Sequence, residues 1–331
     1  MNSASMNIGI LSFAHMHAYS YAAVLAQLED VHLTVVADDD EERGRMAAQQ
    51  WGAAYFRDYQ RALREPLDAV IVTSENARHA EMVVAAFDAG MHVLVEKPIA
   101  TSVADGMRMV DAADAAHCIL QVAFPMRFNV PIAAVKKQID RGSLGKVLAI
   151  NGTNRGQNPG GWFVDPALAG GGAIMDHTVH VVDLMRWYTG AEVREVYAEV
   201  GRRFYDIPTD DAGLLSLEFD NGVIAGHDPS WSRPQGIFPT WGDVTLEVVG
   251  TERVARVDAY AQHVMEYSAR VGHAVHRGWG DDPDALMIKS FIDACRHGRK
   301  PLVTGLDGVR ATEVALFAYE SARLGRPVRL R

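Results

Sequence analysis

Short apolar runs rich in Val and Ile alternate with longer stretches of helical periodicity through the first third of the chain. Runs at 7–11, 32–37, 54–56, 68–73, 92–96 and 119–123 predict strands; stretches at 18–28, 41–51, 58–64, 77–89 and 102–115 predict the helices between them. Gly52 and Gly90 close two of those helices. Strands joined by helices of about 10–13 residues are the signature of βαβ units on a parallel sheet.

The rhythm changes near Phe124. A helix entered through Pro131 is expected over 131–141, followed by extended runs at 147–153, 193–204, 212–219, 222–231 and 244–249. Asp220-Asn221-Gly222 carries hairpin-turn chemistry, and Gly250-Thr251-Glu252 marks a second turn. One strong helix, 173–188, interrupts the strands, and a helical pair at 286–296 and 308–324 ends the pattern. The expected architecture is therefore α/β: a doubly wound parallel sheet in residues 1–123, then an α+β domain with a large, mostly antiparallel open sheet in 124–331.

The length of 331 residues agrees with two domains at about 150 residues each. Hydrophobic residues make up 48% and charged residues 22%, ordinary usage for a globular chain, and no stretch approaches the ~18 apolar residues of a membrane span. The formal net charge of −10 repels phosphate backbones on average, so neither nucleic acid nor membrane is expected as a partner. The two cysteines, Cys118 and Cys295, form no C-x-x-C pattern, so no cysteine-based zinc site is readable. The segment from Met1 to Met6 carries no basic and apolar regions of a secretory signal, and a cytoplasmic location is expected.

The turn after the first strand is where a dinucleotide pyrophosphate would sit, facing backbone N–H groups and the positive end of the following helix. Here that turn reads Ser12-Phe13-Ala14-His15-Met16-His17. Small residues take the first two glycine positions of G-x-G-x-x-G, and His17 takes the third. Asp38 lies at the tip of the second strand, about 20 residues further on, where a carboxylate accepts from ribose hydroxyls. Together with Asp39 and Asp40 it would repel a 2′-phosphate, so NAD is expected over NADP. Asp40 is well placed to cap the next helix.

Two further blocks carry a resemblance. The fourth strand leads into Thr73-Ser74-Glu75-Asn76-Ala77-Arg78-His79, and the fifth reads Gly90-Met91-His92-Val93-Leu94-Val95-Glu96-Lys97-Pro98. Downstream, Gly170-Gly171-Gly172 precedes Asp176-His177-Thr178-Val179-His180, a D-x-x-x-H after a glycine run, and the tail runs from Lys300-Pro301 to Gly325-Arg326-Pro327-Val328. In this order, over nearly the whole chain, the blocks resemble the glucose–fructose oxidoreductase / inositol dehydrogenase / MocA (Gfo/Idh/MocA) family. The resemblance implies a Rossmann-type NAD(P)-binding domain, a substrate-binding and oligomerisation domain, and a dehydrogenase of sugars, polyols or related hydroxy compounds. It also implies a homodimer or homotetramer. The loop from Ser12 departs from the family by lacking all three glycines, and Ser74-Glu75 replaces the usual threonine-proline.

The implied cofactor contacts are Ser12, Phe13, Ala14, His15, His17, Asp38, Thr73, Ser74, Asn76, His79, Glu96 and Lys97. Lys97, Asp176 and His180 are the expected catalytic groups. Asp176 and His180 are four apart and share a helix face. A substrate hydroxyl would give its proton to His180, Lys97 would hydrogen-bond the same oxygen, and Asp176 would bind a neighbouring hydroxyl or orient the base. Arg127, Arg155 and Trp162 are weaker substrate-side candidates: a cation for a hydroxyl or carboxylate, and a ring to stack on a sugar face. Two other classes stay open on the sequence. One is a metal-dependent lyase or hydrolase using His15/His17 with Asp176/His180, although His177 would point about 100° away from such a site; no resident metal is expected. The other is a non-catalytic NAD or sugar sensor. A pathway-specific reductase running toward the alcohol, or an enzyme acting on an imine or aromatic dihydrodiol instead of a sugar, is the nearest enzymatic alternative.

Overall fold

A computed structural model of the chain describes residues 5–330, apart from 239, 268, 271, 273 and 279. Its residues group into two compact units, Met1–Pro125 with Asp284–Val309, and Met126–Pro283 with Arg310–Arg331.

The first unit is built from β1 (Met6–Leu11), α1 (His17–Leu25), β2 (Val31–Ala37), α2 (Glu41–Trp51), β3 (Ala54–Phe56), α3 (Tyr59–Ala62), β4 (Ala69–Val72), α4 (His79–Asp88), β5 (His92–Val95), α5 (Val103–Ala116) and β6 (Leu120–Val122). All pairings are parallel in the order β3-β2-β1-β4-β5-β6. That order reverses between β1 and β4, the switch point where open α/β sheets bind ligands. The central strands are apolar on both faces, as a sheet covered on both sides requires: Ile8, Ile10, Val70, Val72, Val93 and Val95 are fully buried. Helix ends follow local chemistry. Asp40 caps α2 by accepting from Arg43 N, and Gly52 closes it in the left-handed region at φ 69°.

The second unit begins with α6 (Val130–Asp140), whose first turn holds Pro131 and whose cap is Asn129. It continues through β7 (Val147–Gly156), α7 (Pro166–Ala169), α8 (Ala173–Thr189), β8 (Val193–Gly201), β9 (Ala212–Phe219), β10 (Ile224–Asp228), β11 (Gly242–Gly250), β12 (Val254–Asp258), β13 (His263–Tyr267) and β14 (Ala274–Gly278). After α9 (Pro283–His297) and α10 (Gly305–Leu324), the short β15 (Val328–Arg329) completes a seven-stranded sheet ordered β12-β11-β7-β10-β9-β8-β15. Only the β7–β10 pairing in this sheet is parallel. The two expected turns form hairpins, joining β9 to β10 and β11 to β12.

One face of this sheet is packed by α8: an atom added at Gly152 would lie 2.6 Å from Val181 Cγ1, so glycine there lets the helix approach. The chain between Asp284 and Val309 groups with the first unit, whereas the sequence reading assigned everything after 124 to the second. Tertiary pairing decides this: Arg296 donates to Asp30 O at 2.8 Å, and Gln121 bridges to Thr304. Periodicity along the chain carries no trace of such a return.

Candidate functional site

Backbone bonding ties the turn after β1 to its neighbours. Ser12 sits at φ 73°, a left-handed conformation usually left to glycine. Its N–H goes to Ala37 O at 2.6 Å, and Thr73 Oγ1 donates to its carbonyl at 2.6 Å. Phe13 N donates to Asp38 Oδ2 (2.7 Å), Ala14 N to Ser12 Oγ (3.1 Å) and His15 N to Thr73 O (3.0 Å). His17 N donates to His15 Nδ1 at 3.2 Å. Four successive N–H groups of the turn are thus bonded within the protein, and side chains must supply much of any phosphate contact.

His17 opens α1 and is 35% exposed at its side chain. Its Nδ1 lies 3.0 Å from Glu96 Oε1, an oxygen that also accepts from Tyr21 Oη. Glu96 Oε2 accepts from Lys97 N at 3.0 Å. Burial opposes ionisation of Glu96, yet the imidazoles of His15 and His17, the His17 hydrogen bond and Lys97 hold its carboxyl well below the usual range. Burial likewise opposes charge on His17, but Glu96 and Asp284 outweigh it and raise the imidazole above its ordinary value. Asp284 comes from the returning segment and accepts from Ser20 Oγ at 2.8 Å. Neither it nor Tyr21 was singled out in the sequence.

His15, His17 and Glu96 each offer a ligand atom within 4.8 Å of the others. The hydrogen bonding argues against a metal. His15 Nδ1 accepts from His17 N, so neutral His15 carries its hydrogen on Nε2, the nitrogen 3.8 Å from Glu96 Oε2. A ligand set would have to lose that hydrogen and undo the turn.

Asp38 accepts from Phe13 N, from Asp40 N at 2.9 Å, and from Arg43 Nε and Nη2 at 2.8 and 2.7 Å. Asp39 pairs with Arg78 at 2.7 Å. The acidic cluster is therefore substantially neutralised by arginines. His79 is fully buried, with Nδ1 3.0 Å from Pro98 O and Nε2 3.1 Å from Ser74 O. Burial pushes its pKa down against the pull of these carbonyls, and the ring lies between the β4 and β5 exits. Ser74 and Asn76 are buried beside it, and Lys97 is 5% exposed.

In the second unit, Asp176 and His180 lie one turn apart on α8, 7% and 9% exposed. The glycine run before them is held from elsewhere. Asp210 accepts from Gly172 N and Ile174 N at 2.9 and 2.8 Å, and Tyr319 Oη donates to Asp210 at 2.7 Å while accepting from Met175 N at 3.2 Å. These contacts satisfy N–H groups that a helix start leaves open. Glycine is required at 172, where an added Cβ would lie 1.9 Å from Asp210 O.

Asp176 has two neighbours that sequence reasoning did not assign to it: Trp231 Nε1 donates to its Oδ2 at 3.2 Å, and His177 Nε2 lies 3.1 Å from the same oxygen. The three weaker candidates fare differently. Arg127 forms a buried bidentate pair with Asp183 at 2.7 and 2.6 Å, which occupies its guanidinium within the fold. Arg155 alternates with Asn154, whose Nδ2 donates to His177 O, so Arg155 faces the side of the sheet away from α8 and bonds Asp243 at 3.2 Å. Strand alternation overrides that expectation. Trp162 stacks on Phe163 at 3.9 Å in the 3₁₀ turn Gly161–Val164.

A six-stranded parallel sheet in 3-2-1-4-5-6 order, with an acid at the tip of its second strand, defines the class: a dinucleotide-dependent enzyme. Residues 6–124 match the oxidoreductase family with an NAD-binding Rossmann fold, and residues 132–256 match the Gfo/Idh/MocA C-terminal domain. The chain belongs to the Gfo/Idh/MocA family of NAD(P)-dependent oxidoreductases. It is 27% identical to scyllo-inositol 2-dehydrogenase (NAD(+)) of Bacillus subtilis, over 97% of this chain and 95% of that protein. It is 28% identical to D-xylose 1-dehydrogenase (NADP(+)) 2 of Haloferax volcanii, over 98% of this chain and 100% of that one. The crystal structure of GenD2 from gentamicin A biosynthesis in complex with NAD superposes with a TM-score of 0.91 at 28% identity, covering 99% of this chain and 97% of that one.

Proposed function

We propose that the protein is an NAD-dependent dehydrogenase of a cyclic polyol or sugar. The observation that carries this is the pair Asp176 and His180, buried one turn apart on a single unbroken helix in a chain whose other unit is a nucleotide fold. The inositol and xylose relatives support the substrate class, and the turn's fit to a dinucleotide rests on the sheet's switch point, Ser12 in the left-handed region and His17 at the start of α1.

Ser12, Phe13, Ala14, His15 and His17 would line the pyrophosphate, and His17, raised by Glu96, supplies the cation that glycine N–H groups do not. Asp38 would meet the adenosine ribose and Asn76 would lie toward the nicotinamide half, while Thr73, Ser74, His79 and Glu96, all fully buried, would support the site from within the fold. When bound, the nicotinamide takes up or returns the carbinol hydride. His180 would accept the proton of the substrate hydroxyl, as an imidazole within hydrogen-bond reach of it can. Lys97 stabilises negative charge developing on that oxygen, and Asp176 holds a neighbouring hydroxyl. NAD is preferred, although Arg43 weakens the repulsion Asp38 would exert on a 2′-phosphate.

The uncovered face of the second sheet presents Leu214, Ile224 and Val254 to solvent, and a second copy of the chain is the occupant this face suits.

A panel of polyols and aldoses followed by reduced-nicotinamide absorbance, with Lys97→Ala and His180→Ala alongside, tests the reading. Each variant is expected to lose ~10²- to 10⁴-fold in kcat, with wild-type NAD affinity kept in His180→Ala. Wild-type turnover in either one refutes its role.

A further inference from the structure

His177 follows Asp176 by one residue and so points about 100° away around α8. Its ring nevertheless folds back, placing Nε2 3.1 Å from Asp176 Oδ2. The other ring nitrogen, Nδ1, lies 3.0 Å from the carbonyl oxygen of Pro229. A carbonyl oxygen only accepts, so Nδ1 carries a hydrogen. A neutral imidazole has one such hydrogen, which would leave Nε2 as a bare lone pair against a carboxylate oxygen. In a buried setting, with His177 3% and Asp176 7% exposed, that contact is repulsive. It becomes attractive when the pair holds one more proton. The indole N–H of Trp231 donates to the same Oδ2 at 3.2 Å and favours the negative charge there, which places the extra proton on the ring.

We propose that His177 is a positioning residue of the polyol site: as an imidazolium, together with the Trp231 indole, it clamps Oδ2 of Asp176 and fixes the carboxylate that receives a substrate hydroxyl. The proposal rests on the role given to Asp176 above. The surroundings suit a single added charge. From β10, His227 faces the pair as a neutral ring, because burial pushes it down to about 4, with Asp228 beside it in sequence. From β7 come Asn154, whose Nδ2 donates to His177 O at 3.4 Å, and Gly156, where an added Cβ would lie 2.6 Å from His177 Cε1. From β9 come the apolar Leu215 and Leu217. On α8 itself, His180 lies one turn beyond Asp176. Glycine at 156 is what leaves room for the folded-back ring.

The full-length protein, labelled with ¹⁵N-histidine, provides a readout that a merely space-filling ring would not give. A ring with both nitrogens protonated near neutral pH, in addition to that of His17, is expected, lost in His177→Gln and perturbed in Trp231→Phe. A ring at this position with a single protonated nitrogen overturns the proposal. Kinetically, His177→Gln retains an N–H donor and is expected to keep KM for the polyol within about threefold, whereas His177→Leu raises it ~10-fold or more with NAD affinity unchanged. Equal KM in the Leu and Gln variants also overturns the clamp. Should His177→Leu not fold, the wild-type and Gln spectra decide alone. Wild-type KM in Asp176→Asn, with the His177 imidazolium signal present in the wild-type protein and lost in that variant, would instead sink the polyol-site reading and leave the clamp standing.

Discussion

At the scale of single residues, Asp38 shows how a legible position acquires an illegible partner. Its place at the tip of β2 follows from strand pattern and spacing. That Arg43 grips both of its oxygens follows from α2 turning back over the strand, with Asp40 as cap. A carboxylate offers about four lone-pair sites, and Phe13 N, Asp40 N and the two Arg43 nitrogens supply four donors. A ribose hydroxyl must therefore share or displace the arginine, while a 2′-phosphate could recruit it. Arg43→Ala is expected to raise the ratio of kcat/KM for NAD over NADP by ~10-fold or more, since it both frees the carboxylate and removes a phosphate partner. An unchanged ratio would count against Asp38 as the selecting group. Arg155 and Arg127 teach the opposite lesson. Each is a cation in a suggestive stretch, and strand alternation and a buried partner at Asp183 commit them elsewhere.

Whole elements were the most legible level. The spans of α2 and β9 follow directly from periodicity and capping residues, as do the β9–β10 and β11–β12 turns. The starts of α1 and α8 were read as functional, and in both cases partners distant in sequence complete them. For α1 the partner is Glu96. Because His17 is raised above 6.5, its imidazolium is fully present below that value and lost as pH rises through the raised one. The affinity for NAD, read by calorimetry, should therefore weaken as pH climbs from near neutrality, and His17→Ala should flatten that trend. The His17–Glu96 attraction contributes stability in the same low-pH sense on the histidine side. Glu96, held low, contributes above the ordinary carboxylate value and loses its contribution as pH falls through the lowered one. For α8 the partners are Asp210 and Tyr319. Gly172→Ala would drive a methyl into Asp210 O, and thermal unfolding should show a loss of ~1–3 kcal/mol or more.

For the molecule as a whole, the exposed row of apolar side chains on the second sheet makes a prediction of its own. Val254, Ile224 and Leu214 lie on the face opposite the one packed by α8. Replacing Leu214 and Ile224 together by Arg is expected to convert the assembled species to monomer in light scattering, with the fold intact by circular dichroism. A wild-type protein that is already monomeric would refute the assignment of that face. Among the described residues, no helix is long and apolar enough to cross a membrane.

The sequence by itself determined the alternation of strands and helices, the change of rhythm near Phe124, and the D-x-x-x-H and Glu-Lys-Pro blocks. All of these are local, set by side-chain periodicity, capping and turn chemistry acting over a few residues. Only the tertiary structure decided that Asp284–Val309 returns to the first unit, that Arg43 neutralises Asp38, and that His177 and Trp231 converge on one oxygen of Asp176. Each of those depends on burial and hydrogen-bond geometry between elements far apart along the chain, where partners are chosen by packing rather than by spacing.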